Sequence, residues 1–171
     1  WWAIALRSAV LVLLVLAIAD LQYRQKSDRV MVLYLLDQSL SIPQPHREAM
    51  QEFVNEAVTR HLRPEKGDRI GVIVFGRDAE VERVPRDYFD DLGRIETTPD
   101  PQFTNLAAAL QRARSLYPPG FAKRMVIVTD GNENLGDALT EARGLADGGG
   151  SSDVVRVERP QKSEIAVGRL T

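Results

Sequence analysis

The sequence predicts an α/β protein: a doubly wound, mostly parallel, Rossmann-like sheet with helices on both faces, preceded by a transmembrane helix. Three observations carry this expectation. Residues 30–36 (VMVLYLL), 70–75 (IGVIVF) and 125–129 (MVIVT) are continuous apolar runs of strand length, as in strands buried on both faces of a parallel sheet. Between and after them lie stretches with apolar residues at three- and four-residue spacing, the pattern of amphipathic helices. Ahead of them, residues 1–19 are apolar except for Arg7 and Ser8.

That first segment is long enough to cross a bilayer, since nineteen residues at ~1.5 Å each rise about 28 Å. Trp1 and Trp2 suit a membrane interface, and Arg7 lies near enough to the end to snorkel. A cleaved signal peptide is the competing reading, with Arg7, residues 9–16 and Ala17-Ile18-Ala19 as its three regions. The apolar residues before Arg7 weigh against it. A buried core helix fits least, because the segment has no polar face. Residues 20–28 read as a juxtamembrane linker. By the positive-inside rule, Arg24, Lys26 and Arg29 would hold the following domain in the cytoplasm, but the count covers one flank only and leaves the orientation open.

Residues 29–158 form the expected domain. After the strand at 30–36 comes a loop with Pro43 and Pro45, then a helix at 46–62 marked by Ala49, Met50, Phe53, Val54, Ala57, Val58, His61 and Leu62. The strand at 70–75 turns at 76–78 into 79–84, whose alternating apolar and charged residues suit a solvated edge strand. Residues 85–103, with Pro85, Pro99 and Pro101, are expected to be mostly loop. Leu106, Ala109, Leu110, Ala113, Leu116 and Tyr117 mark a helix that Pro118, Pro119 and Gly120 end. A strand at 125–129, a helix at 137–146, a loop at 148–150 and a strand at 154–157 complete the alternation. Residues 159–171 read as a linker and the start of a further region. The chain begins without methionine and stops within what resembles a new strand, so it is expected to be a piece of a longer protein.

Composition narrows the chemistry. The 171 residues contain no cysteine, which excludes disulfides, thiolate nucleophiles, zinc fingers and iron–sulfur clusters. With His46 and His61 as the two histidines, a multi-histidine metal site is not expected. The net charge of −2 argues against a nucleic-acid binder, which needs a basic surplus.

What stands at the strand ends is more specific. Ligands of doubly wound sheets bind at the carboxyl ends of the strands, near the point where strand order reverses. The first buried strand ends in Asp37-Gln38-Ser39-Leu40-Ser41, the last in Asp130-Gly131, and Phe103-Thr104-Asn105-Leu106 opens a helix between them. Each piece has an ordinary structural explanation: Ser41 as a helix cap, Thr104 as an N-cap, Asp130-Gly131 as a turn pair. If the strands are neighbours, however, Asp37, Ser39, Ser41, Thr104 and Asp130 converge on one edge. Two carboxylates and three hydroxyls are an all-oxygen set suited to a hard cation, magnesium or manganese. Because three of the donors are neutral, the ion keeps enough positive charge to attract an external carboxylate.

At these residues the sequence resembles the von Willebrand factor type A domain. Asp37-x-Ser39-x-Ser41, Thr104-Asn105-Leu106 before a helix, and Val126-Ile127-Val128-Thr129-Asp130-Gly131 match the three motifs of that family's metal-ion-dependent adhesion site in order and spacing, over about residues 28–158. The resemblance implies that Ser39, Ser41 and Thr104 coordinate the metal through hydroxyls and that Asp37 and Asp130 act largely through bound water. A Glu or Asp of a protein partner would complete the shell. Residues 34–39, 71–76 and 130–138 are similar to bacterial membrane-anchored members, in which a β-rich region follows the domain; five strands can be counted here where the family has six.

The expectation is therefore a membrane-anchored, metal-dependent binding module that is not an enzyme. The alternatives are a magnesium-dependent phosphotransferase-like enzyme and a scaffold whose metal site is empty. The first requires a second acid two residues after Asp37, where Ser39 stands, and a phosphate-clamping lysine that is not evident. Glu133 and Asn134, just after Asp130, lie close enough to shape the site or are simply solvated.

Overall fold

The computed structural model describes residues 1–18 and 28–157. In chain order these form α1 (Trp2–Ile18), β1 (Val30–Asp37), α2 (Gln44–His61), a 3-10 turn (Pro64–Lys66), β2 (Arg69–Phe75), β3 (Ala79–Arg86), α3 (Leu106–Leu116), β4 (Ala122–Thr129), α4 (Ala138–Asp147) and β5 (Ser151–Arg156). The strands make one sheet in the order β3-β2-β1-β4-β5. All neighbours are parallel except β3, which pairs antiparallel with β2 at the edge. The expected mostly parallel α/β sheet is present.

Each face of the sheet has its own core, as the period-two geometry of strands requires. Leu33, Leu35, Ile73, Phe75, Met125 and Ile127 pack with Ala109, Leu110 and Ala113 of α3 and Leu145 of α4. Tyr34, Leu36, Val72, Val74 and Val128 pack on the other side with Met50, Val54 and Val58 of α2. β1 and β2 are buried on both faces, which is why they read as unbroken apolar runs.

Element boundaries shift where the ends are polar. β4 begins at Ala122 and β5 at Ser151, three residues before the expected starts, because their amino ends are solvated and carry polar residues. β3 continues through Pro85 to Arg86, which an edge strand tolerates. α2 starts at Gln44 and takes Pro45 into its first turn, where a missing N–H costs nothing. The alternative explanation of Ser41 and Thr104 as helix caps does not hold. Pro43, not Ser41, occupies the N-cap of α2, and Asn105, not Thr104, caps α3 by accepting from Ala108 N at 3.0 Å.

The transmembrane expectation also changes. A helix does form at the start of the chain, and its described side chains, Trp1 to Leu14, are exposed. Its described span, Trp2–Ile18, has 17 residues. Among the described residues no helix is long and apolar enough to cross a membrane. Ala19, most of the expected linker and the expected further region from residue 159 lie outside the described residues.

Candidate metal centre

The site is built by the chain leaving the central strand. β1 lies between β2 and β4, and its last residue, Asp37, has no exposed surface. Burial pushes its carboxyl above the usual range; hydrogen bonds from Thr129 and Ser39 oppose that, and the nearby Asp130 charge adds to it. One carboxylate oxygen accepts from Ser39 N at 2.9 Å, the other from the Thr129 hydroxyl at 2.7 Å. The bond to Thr129 joins the ends of β1 and β4, so the residue preceding Asp130 is fixed against Asp37.

Beyond Asp37 the chain folds back on itself. The Ser39 and Ser41 hydroxyl oxygens lie 2.7 Å apart, bringing two hard donors to one point. Arg47, in the second turn of α2, clamps this loop, donating from Nη2 to Ser39 O at 2.8 Å and from Nε to Ile42 O at 3.1 Å. Leu40 N donates to Pro101 O at 2.8 Å, tying the loop to the segment that carries Thr104.

Thr104 is 3% exposed and held from two sides. Its N–H donates to Asn134 Oδ1 at 2.8 Å, and Asn134 N donates back to Thr104 O at 3.2 Å. Asn105 N donates to Gly76 O at 2.7 Å, anchoring the same segment to the end of β2. Glu133 accepts from Ala107 N and Ala138 N, both at 3.2 Å, and so bridges the first turn of α3 to the start of α4. Gly136, at φ +96, lets these elements approach; a β-carbon there would sit 2.7 Å from that of Ala107. Asp130 turns toward its own loop and accepts from Asn132 N at 3.0 Å.

Asp37, Ser39 and Ser41 are thus joined directly, Asp130 follows the residue bonded to Asp37, and Thr104 is tied to the loop after Asp130. Glu133 and Asn134, between which the sequence left two readings open, are structural members of this edge. Two further residues were missed. Thr129 looked like one more β-branched strand residue, and nothing in the sequence linked Arg47 to a loop eight positions back. Among the described residues no group of three His, Asp or Glu side chains is placed to hold a metal. The donors present, two carboxylates and three hydroxyls, fit a hard divalent ion of the magnesium type and carry no nitrogen or sulfur for a softer one.

This fold defines a class: doubly wound α/β modules, whose ligands bind at the carboxyl end of the sheet. The chain belongs to the von Willebrand factor type A domain family, whose profile matches residues 32–133. No curated protein matches it. Among solved structures it is similar to an aerotolerance-related membrane protein from Bacteroides fragilis, with 24% identity, 77% of this chain and 69% of that one covered, and a TM-score of 0.60. It is also similar to BatB from Bacteroides thetaiotaomicron, with 24% identity, coverage of 74% and 66%, and a TM-score of 0.60. Manganese-loaded TRAP from Plasmodium vivax is similar at 16% identity, with coverage of 77% and 59% and a TM-score of 0.63. A matrix protein of the mussel byssus with a zinc-occupied adhesion motif is similar at 23% identity, covering 75% of this chain and 35% of that one, with a TM-score of 0.63. At these identities the likeness is one of fold.

Proposed function

We propose that residues 29–158 form a metal-dependent binding module that engages the Glu or Asp carboxylate of a protein partner through magnesium or manganese. The observation that carries this is the paired hydroxyls of Ser39 and Ser41, 2.7 Å apart beside a buried Asp37. In this reading Ser39, Ser41 and Thr104 are the direct ligands. Asp37, with each oxygen already bonded to a protein donor, acts largely through water, as does Asp130. A bound divalent cation supplies a positive charge that neutral hydroxyls leave largely uncompensated, and that charge attracts the partner's carboxylate. The chain's own residues orient the hydroxyls, hold the Asp37 carboxyl in place through Ser39 N and Thr129 and present a rigid edge.

An enzymatic role has less support. A nucleophilic Asp37 would need a free carboxylate, yet Ser39 N and Thr129 occupy it, and no acid stands two residues on. The described side chains of α1 are mostly apolar and exposed, which supports a place for this chain at a membrane.

The test is calorimetric titration of magnesium and manganese into the protein and its Asp37→Ala and Thr104→Ala variants. Saturable binding in the parent that both variants lose supports the assignment. Wild-type magnesium affinity in either folded variant overturns it.

A further inference from the structure

Arg156 carries a guanidinium at the same edge that the scheme above does not use. It ends β5 and is in register with Thr129, the residue that holds Asp37 and precedes Asp130. A β-carbon on Gly131 would lie 4.0 Å from Arg156 Nη2. The guanidinium therefore reaches the start of the loop that follows β4, one strand over from the Ser39–Ser41 hydroxyls.

Arg156 is exposed and makes no ion pair among the described residues. Its acidic neighbours in that loop have other work: Glu133 takes two backbone N–H groups, and Asp130 accepts from Asn132. An arginine so placed presents a planar fork of donors to solvent, beside the point where an incoming carboxylate is expected.

We infer that Arg156 is a specificity residue that pairs with a second acidic group on the partner. Adjacent strands lie ~4.8 Å apart, and an extended segment rises about 3.3 Å per residue. Arg156 stands two strands from β1, ~9.6 Å away, and its side chain reaches back across the end of β4 to Gly131. A second acid two residues beyond the metal-bound one, ~6.6 Å away, therefore falls within reach of its guanidinium. The partner segment is then acid-x-acid, not a lone acid. This inference rests on the metal-dependent binding reading above.

The test uses two immobilised, blocked pentapeptides with magnesium saturating: one with two glutamates separated by a glycine, the other with glutamine in place of the second glutamate. Binding of the parent protein, Arg156→Gln and Arg156→Lys is measured by interferometry, and magnesium affinity by calorimetry. The parent should prefer the two-acid peptide by about three- to fivefold, as for an exposed ion pair. Arg156→Gln should lose that preference, Arg156→Lys should recover part of it, and magnesium affinity should stay within about twofold in both. A preference that survives in Arg156→Gln, or is absent from the parent while both peptides bind, overturns the role of Arg156 alone. If magnesium binds but neither peptide does, the carboxylate-partner reading falls and this inference with it.

Discussion

Replacing Thr129 by valine removes one atom's chemistry and little shape. The hydroxyl donates to Asp37 at 2.7 Å and accepts from Gly131 N at 3.2 Å, and Thr129 is 3% exposed, so water cannot replace it. The variant leaves a fully buried carboxylate with one of its two described hydrogen bonds. A hydrogen bond to a charged group contributes about 1.5–3 kcal/mol. For a domain of this size that is a fall in melting temperature of about 5–12 °C at neutral pH. The deficit should depend on pH. Asp37 already titrates above the usual range because of its burial. A carboxyl raised in this way costs stability as pH rises through its folded value, and losing Thr129 raises it further. The gap to the parent should therefore widen from about pH 4 to pH 7. Magnesium affinity should fall 10- to 100-fold, the usual result of removing a group that orients a metal site from behind. Urea denaturation followed by circular dichroism with chelator present reads the first effect, and calorimetry reads the second. Thr129→Ser, which keeps the hydroxyl, should hold magnesium affinity within about threefold. Parent-like stability and magnesium affinity in Thr129→Val would refute the claim that β4 holds Asp37 in place.

Three further outcomes follow from the same geometry. Arg47→Met, which frees the carbonyls of Ser39 and Ile42, should weaken magnesium about tenfold; unchanged affinity would mean the loop holds its shape without the clamp. Glu82, its side chain 1% exposed, is raised by burial but lowered overall by donors from Thr97 and Glu96 and by Arg83. Its stabilisation is complete above the ordinary glutamate value and is lost as pH falls through the lower folded one, so the melting gap between parent and Glu82→Gln should close below about pH 4; a gap that ignores pH would contradict this. At Gly76 a β-carbon would meet Asp100 O at 2.4 Å, so Gly76→Ala should cost about 1–3 kcal/mol by denaturation. Because Asn105 N is anchored on Gly76 O, its magnesium affinity should fall too; a change in neither would show that the backbone yields freely there.

The sequence made the fold legible where burial wrote it in apolar side chains. β1, β2 and the middle of β4 are sealed on both faces, and their runs stand out. Strand ends and caps were harder. The amino ends of β4 and β5 are wet and polar, and the α3 cap fell to Asn105 while Thr104, one residue earlier, is buried and bonded to Asn134. The candidate ligands were visible because each stands where a strand or helix begins or ends, in a recognisable motif. Their supports were not, since Arg47, Thr129 and Asn134 act across contacts that only the fold creates. The apolar start of the chain showed its hydrophobicity plainly, and a helix forms there over the described residues Trp2–Ile18.

The most direct measurement is a crystal structure of the protein grown with manganese, with the ion located by its anomalous signal. The account predicts a single strong peak coordinated by the hydroxyls of Ser39, Ser41 and Thr104, with Asp37 and Asp130 reaching it largely through water. A manganese ion bound elsewhere, or an edge still empty at saturating manganese, would contradict it.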